Sequence, residues 1–129
     1  MESTIAEKFD AILQRFELTG RMKDFYDIYY LSRTFDFEGT RLQAAIFETL
    51  QRRGTTYDRD SFKRIVALAE DEDIQKRWKY FLKNVKDDTL ELSVVMNKIQ
   101  IFLEPVFDAI INETEWQKEW TTNSGWRTL

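Results

Sequence analysis

The sequence predicts an all-α fold, a single compact bundle of six or seven helices over residues 1–129. The length suits one domain built around one core. The chain has one proline and four glycines, too few for the many turns of a β-sandwich or barrel. Apolar residues recur at helical spacing along most of the chain, and no convincing strand, repeat or linker interrupts them.

Each helix is predicted from an apolar stripe that follows a capping residue. The first covers residues 4–18, with a capping box at Thr4 and Glu7 and a stop at Thr19-Gly20. The second covers 22–33, and after a loop the third begins at the T-x-x-Q of 40–43 and ends at Arg52-Arg53-Gly54. The next three begin at Asp58 or Asp60, at Asp71 and at Thr89.

The end of the chain leaves two alternatives open. Pro105 either kinks the sixth helix or stands in the first turn of a seventh. Trp116 and Trp120 are four residues apart and can share a helix face, whereas Trp126 follows a turn signal at Asn123-Ser124-Gly125. We expect these tryptophans to cover the core.

Composition and charge exclude several classes of function. The net charge of −4 and the pI of about 5.0 disfavour nucleic-acid binding by the whole surface, although a local basic patch stays possible. Cysteine and histidine are absent, which removes disulfides, Cys/His zinc sites, thiol nucleophiles and histidine catalysis. Mg²⁺ is then the plausible metal. No apolar run approaches the ~20 residues of a membrane span and no signal peptide is evident, so we expect a cytoplasmic protein.

The second predicted helix carries charges among aromatic rings, in GRMKDFYDIYYL. At 100° per residue, Lys23, Asp24 and Asp27 form one stripe away from the apolar face. The stripe is either a solvated helix face, with Asp24 near the positive end of the helix dipole, or part of an active site. Lys8 and Arg15 lie at one edge of the first helix and could approach this stripe if the two helices pack antiparallel.

Two further charged stretches are ambiguous. Arg52 and Arg53 either complement the dipole at a helix end or, with the nearby Arg59, Lys63 and Arg64, form a modest patch for RNA or polyphosphate. The segment 71–73, Asp-Glu-Asp, has the appearance of a metal-binding D-x-D, but its position at a predicted helix start favours capping.

Residues 2–37 resemble the AbiEii/AbiGii-type nucleotidyltransferase toxins of type IV toxin–antitoxin and abortive-infection systems. That family's E-x-x-x-A-E-K-F/L helix corresponds to Glu2…Ala6-Glu7-Lys8-Phe9. Its R-x-K-D-x-x-D-I/L helix corresponds to residues 21–28, RMKDFYDI, and the later QRRGT (51–55) and FLEPVFDAI (102–110) are also similar to its C-terminal part. The resemblance covers essentially the whole chain.

The resemblance implies roles for named residues. Lys8, Arg21 and Lys23 would contact the nucleotide, and Lys8, Lys23, Asp24 and Asp27 would line the catalytic cleft. A complete enzyme of this type would use Mg²⁺ and a nucleoside triphosphate, transfer a nucleotide to an acceptor such as RNA, and have a cognate antitoxin.

The chain departs from the family in one respect. It has no G-S followed by D-x-D, the motif that holds the metal and the triphosphate in the family's N-terminal half. We therefore expect a helical C-terminal domain whose metal-binding half is missing, because the reading frame is shortened, the protein is split or the chain is a fragment. Alone it should be inactive and hold no cofactor. The alternative is a non-enzymatic helical module that binds an antitoxin or associates with itself through the Trp-rich tail.

Overall fold

A computed structural model of the chain describes residues 1–15, 22–87 and 89–129. In these segments the α-helices are α1 (Glu2–Arg15), α2 (Met22–Thr34), α3 (Gly39–Arg53), α4 (Ser61–Ala67), α5 (Glu72–Val85) and α6 (Leu92–Ile111), and a short 3₁₀ turn, Leu68–Glu70, joins α4 to α5. The strands are β1 (Phe37–Glu38), β2 (Lys118–Thr121) and β3 (Gly125–Thr128). None of the described helices is both long and apolar enough to span a bilayer.

The six predicted helices are confirmed, with changes at their ends. The helix α1 starts at Glu2, so Thr4 lies inside it and does not cap it. Asp71 does cap α5, since its Oδ1 accepts a hydrogen bond from the backbone N of Ile74 at 3.0 Å. The helix α6 begins at Leu92 and continues past Pro105, so there is no separate seventh helix in the described part of the chain. Buried residues on both sides of Pro105 hold this helix together. The predicted stop at Thr19-Gly20 lies outside the described residues.

The core forms where α6 crosses the other helices. The helix α1 packs against α2 and α3, and α6 packs against α2, α3 and α4. Three phenylalanines meet at this crossing: Phe9 lies 5.7 Å from Phe62 and 6.0 Å from Phe107, measured between ring centroids. Each of the three is about 1% exposed or less. Burying rings of this size contributes several kcal/mol of hydrophobic stabilisation, on the order of 2 kcal/mol each.

The prediction of a purely α-helical fold is wrong, because the end of the chain forms a hairpin and not a helix. The strands β2 and β3 pair antiparallel, with Trp120 opposite Trp126, and β1 adds to the other edge of β2. Gly125 has φ of +70°, a conformation that favours glycine, where the turn re-enters β3. Trp120 and Trp126 face each other across the two strands, and aromatic pairs of this kind stabilise antiparallel strands.

The hairpin closes the open end of the bundle. Trp120 is 2% exposed, lies 4.7 Å from the Phe102 ring and donates its Nε1–H to the Ser32 carbonyl of α2 at 2.7 Å. Trp126 also stacks on Phe102, lies 5.5 Å from the Trp120 ring, and donates its Nε1–H to the Phe102 carbonyl at 2.8 Å. The prediction that the tryptophans cover the core is confirmed for these two.

Gln43 has a different role from the capping role predicted for it. The N-cap of α3 is Glu38, which makes no side-chain capping bond. The Gln43 amide instead faces the segment that leads into the hairpin. Its Nε2 donates to the Thr114 carbonyl at 2.6 Å, and its Oε1 accepts from the Trp116 backbone N at 2.8 Å. One side chain thus replaces the backbone partners that this irregular segment lacks.

Candidate functional site

The position of Lys8 follows from the apolar stripe of α1. Ile5, Phe9 and Ile12 are buried in the core, each about 1% exposed or less. Lys8 lies at the margin of this stripe, so its aliphatic stem lies along the protein and its ammonium reaches the neighbouring helix. The Lys8 side chain is 22% exposed, which is low for a lysine outside the core.

Lys8 meets the charged stripe of α2. Its Nζ lies 2.7 Å from Asp27 Oδ2 and 3.7 Å from Asp24 Oδ1. Lys23 Nζ reaches the same Asp27 oxygen, also at 2.7 Å, from one turn earlier on α2. Lys8, Lys23, Asp24 and Asp27 are called the Lys8 cluster below. The structure therefore brings together four of the residues that the sequence singled out from two separate helices.

The ionisation of the cluster follows from its pairing. Partial burial of the Asp27 carboxylate favours its protonated form. The hydrogen bonds from Lys23 and Lys8, together with their charges, outweigh this effect and hold the pKa of Asp27 below its ordinary value. The same hydrogen bond and the charge of Asp27 raise the pKa of Lys23. Lys23 and Asp27 are therefore charged near neutral pH, and the Asp27 carboxylate is shared between the two lysines.

The remaining residues predicted for this cleft are not described. Arg21 lies outside the described residues. The four-residue Lys8 cluster is therefore the part of the predicted site with a defined geometry.

Arg52 and Arg53, predicted as a phosphate patch, contact the opposite side of α1. Arg52 Nη2 lies 2.5 Å from Glu7 Oε1, and Arg53 Nη2 lies 2.6 Å from Glu7 Oε2. The end of α3 is thereby fixed to the residue directly before Lys8. The other proposed members of this patch are also engaged: Arg59 with Asn112, Lys63 with Asp60, and Arg64 with Asp58.

The sequence reasoning missed a buried polar group beneath these arginines. Asp10 is 2% exposed, accepts a hydrogen bond from the Thr55 hydroxyl and lies 3.7 Å from Arg53 Nε. Gln14 Nε2 donates to the same hydroxyl at 3.0 Å. Glu7 and Asp10 are three residues apart on one helix, a spacing that places them on the same face and could have revealed the pair.

The described residues do not fit a resident divalent cation. They contain no group of three or more carboxylates arranged to hold a metal ion. The two carboxylates of the Lys8 cluster already face the Lys8 ammonium, which a cation would have to displace. The D-x-D-like segment is accounted for by the capping bond of Asp71. What the Lys8 cluster offers chemically is a positioned ammonium group and two ordered carboxylates.

Comparison with known proteins identifies the family. The sequence model of the family described as "Nucleotidyl transferase AbiEii toxin, Type IV TA system" matches residues 1–120, which include both helices of the Lys8 cluster. No curated protein matches the chain significantly. No solved structure matches it significantly either. The match spans nearly the whole chain, and the protein belongs to the AbiEii nucleotidyltransferase toxin family of type IV toxin–antitoxin systems.

Proposed function

We propose that this chain forms the helical wall of a nucleotidyltransferase site. Lys8 would contact the phosphates of the nucleotide, and Lys23, Asp24 and Asp27 would line the cleft and order the nucleotide or its acceptor. Arg21, next to α2, would join the nucleotide contacts. The observation that carries the proposal is the Lys8 ammonium, held 2.7 Å from Asp27 by two helices that lie within the family match.

The charge balance of the Lys8 cluster supports weak binding by the chain alone. The Lys8 ammonium already faces the carboxylates of Asp27 and Asp24, so a triphosphate that approaches Lys8 has to compete with these two anions. Phosphoryl transfer depends on positioning and on neutralisation of the phosphate charge. The family's nucleotide and metal chemistry would therefore need carboxylates from outside the described residues, and the chain alone would be inactive.

Arg52 and Arg53 are secondary candidates for a phosphate or RNA contact. Both hold Glu7, so either arginine would have to exchange this carboxylate for a phosphate. The exchange would release Glu7, the residue that precedes Lys8, and would change the position of the end of α3 relative to α1. We place these arginines at the border of the proposed site.

Titration of the ¹⁵N-labelled chain with ATP, followed by NMR, tests the binding part of the proposal. We expect shifts centred on α1 and the first turn of α2, with millimolar affinity, and loss of these shifts in Lys8→Gln. Lys63→Gln is the matched control, because the Lys63 side chain is 80% exposed and makes only a 4.0 Å contact with Asp60. Shifts confined to other surfaces, or equal effects of both variants, would exclude Lys8 as the phosphate contact.

Incubation with labelled nucleoside triphosphates, Mg²⁺ and total RNA tests the inactivity of the chain. No label should pass to RNA. Addition of a polypeptide that carries the G-S and D-x-D half of a complete family member should restore transfer, and Lys8→Gln should reduce the restored rate about tenfold or more. Turnover by this chain alone would show that its own residues complete the metal site.

The second candidate function is a non-enzymatic interaction module. Its supporting observation is an apolar groove of about 440 Å³ between α3 and the end of α6, where Phe47 is 44% exposed and lies near Ala109 and Ile110. The family belongs to toxin–antitoxin systems, so an antitoxin is the partner that this candidate implies. Light scattering of the chain, with and without the protein encoded by a neighbouring gene, distinguishes the two candidate functions. A chain that stays monomeric and does not bind that protein would count against the interaction module.

A further inference from the structure

The outward face of α5 carries a regular row of lysines. The row consists of Lys76, Lys79, Lys83 and the C-cap residue Lys86. Their spacings of three, four and three residues place them on one side of the helix. All four are exposed. At 1.5 Å per residue the row is about 15 Å long. It is called the α5 strip below.

The lysines of the α5 strip have no ion-pair partners among the described residues. Several other basic side chains are bonded to carboxylates, as Lys8, Arg52 and Arg53 are. The acidic residues of α5 are confined to its first turn, at Glu72 and Asp73. Within the described residues, Lys83 makes a cation–π contact, in which its Nζ lies 5.9 Å from the centre of the Tyr80 ring.

The strip stands out against the charge of the rest of the chain. The segment 74–86, IQKRWKYFLKNVK, holds five of the chain's 19 lysines and arginines and no acidic residue. The other 14 basic residues are outnumbered by 23 acidic ones. An uncompensated row of cations on an otherwise acidic body attracts an anionic polymer to that row in particular.

We propose that the α5 strip docks the backbone of single-stranded RNA, an inference that does not depend on the nucleotide site proposed above. Lysines are depleted from protein–protein interfaces, which need a buried apolar core. Beside the strip, the large apolar side chain that α5 exposes is Tyr80. Phosphate backbones, in contrast, are bound by rows of exposed lysines.

Tyr80 indicates the single-stranded form. Its ring is 71% exposed at the margin of the strip, beside Lys83, where it can stack on a base that has left a duplex. Unpaired bases are what aromatic side chains recognise in RNA loops and ends. An open pocket of about 390 Å³ borders the strip at Lys79, and its lining includes Thr89, Glu91 and Ser93 beside the almost fully buried Trp78 and Leu82.

Fluorescence anisotropy with a labelled 20-nucleotide RNA of mixed sequence, at two salt concentrations, tests the proposal. The wild-type chain should bind with a log–log salt slope of about −2 to −3, as expected for three or four phosphate contacts on a single strand. The triple variant Lys76→Gln, Lys79→Gln, Lys83→Gln should weaken binding about tenfold or more. Tyr80→Ala should weaken it about fivefold.

The matched control removes three positive charges away from the strip, at Arg33, Arg41 and Arg127, each by substitution with Gln. These side chains are exposed, Arg41 by 75% and Arg127 by 58%, so the variant should fold and keep its affinity within about twofold. Equal losses in both triple variants would reduce the effect to net charge and overturn the proposal, as would no RNA binding at low salt. Tighter binding of polyglutamate, or of single-stranded DNA with the same sequence, would also overturn the assignment to RNA.

Discussion

At the scale of single residues, Lys8 is the side chain with the largest consequences. It connects α1 to two carboxylates of α2 while its own helix is fixed to α3 through Glu7. The arrangement keeps an ammonium group in one place at the surface of a well-packed core, and the proposed phosphate contact depends on such a preorganised donor. The same contacts also stabilise the fold, so structural and functional contributions must be measured separately.

We expect Lys8→Met to lower the free energy of unfolding by about 1–2 kcal/mol, because it removes the Lys8 ammonium from the partly buried carboxylates of Asp27 and Asp24. Methionine retains most of the stem that packs against α1. Urea denaturation measures the change. Lys63→Met should change stability by less than about 0.5 kcal/mol. Equal values for the two variants would mean that the Lys8 cluster contributes nothing to folding.

The lowered pKa of Asp27 predicts how this stability depends on pH. Because the folded state holds the pKa below its ordinary value, the contribution of Asp27 is complete above that value and disappears as the pH falls through the folded pKa. The difference in unfolding free energy between wild type and Asp27→Asn should be constant from about pH 6 to 8 and shrink below about pH 4. Urea titrations across this range provide the measurement.

The same substitution in a Lys8→Met background is the control for this pH dependence. With one of the two lysines removed, the loss at acid pH should be smaller, because less of the pKa shift remains. An unchanged pH profile would assign the shift to Lys23 alone.

At the scale of elements, two tryptophans of the hairpin segment differ in a way that stability measurements can detect. Trp120 Nε1 donates to the Ser32 carbonyl, whereas Trp116 Nε1 is buried without a hydrogen-bond partner among the described residues. We expect Trp120→Phe to lower stability by about 2–4 kcal/mol, since it adds a cavity to a lost buried hydrogen bond. Trp116→Phe should lower stability by about 1 kcal/mol or less, because no hydrogen bond is lost.

Thermal and urea unfolding of both variants measures the two changes in stability. A larger loss for Trp116→Phe than for Trp120→Phe would contradict the role given to the Trp120 hydrogen bond.

The helices could be predicted from the sequence, whereas the hairpin could not. The helices were predictable because their buried residues repeat with the helical period, as Ile5, Phe9 and Ile12 do. The hairpin was not, since its strands are short and its tryptophans four apart also fit a helix. The turn at Asn123-Ser124-Gly125 was the available signal, and pairing it with the two flanking tryptophans would have indicated a hairpin.

The candidate site was predictable only in part. Helical spacing placed Lys23, Asp24 and Asp27 on one face, and Lys8 at the edge of another. That the two edges meet depends on how α1 packs against α2, which single-helix periodicity does not contain. The pairing of Arg52 and Arg53 with Glu7 spans 45 residues and is likewise a property of the assembled bundle.

At the scale of the whole molecule, the hairpin and the helices share one core. Trp120 and Trp126 both pack on Phe102 of α6, and Phe37 of β1 lies 5.3 Å from the same ring. Elements that bury common side chains are expected to unfold together.

We therefore predict coincident urea midpoints for tryptophan fluorescence, which reports mainly the hairpin region, and far-UV circular dichroism, which reports the helices. Three of the four tryptophans are Trp116, Trp120 and Trp126. Trp78→Phe supplies the control, because it restricts the fluorescence to these three. An earlier fluorescence midpoint would mean that the hairpin detaches from an intact bundle.

The bond from Trp120 to Ser32 also has a consequence for synthesis on the ribosome. It joins residues 88 positions apart, so α2 and β1 emerge long before the strand that covers them exists. Until then the surfaces of Phe37 and Phe102 that Trp120 covers stay exposed, and exposed apolar surface of this kind makes a partly synthesised chain prone to aggregation. We expect a chain cut before Trp120 to be more susceptible to proteolysis than the chain that carries the hairpin.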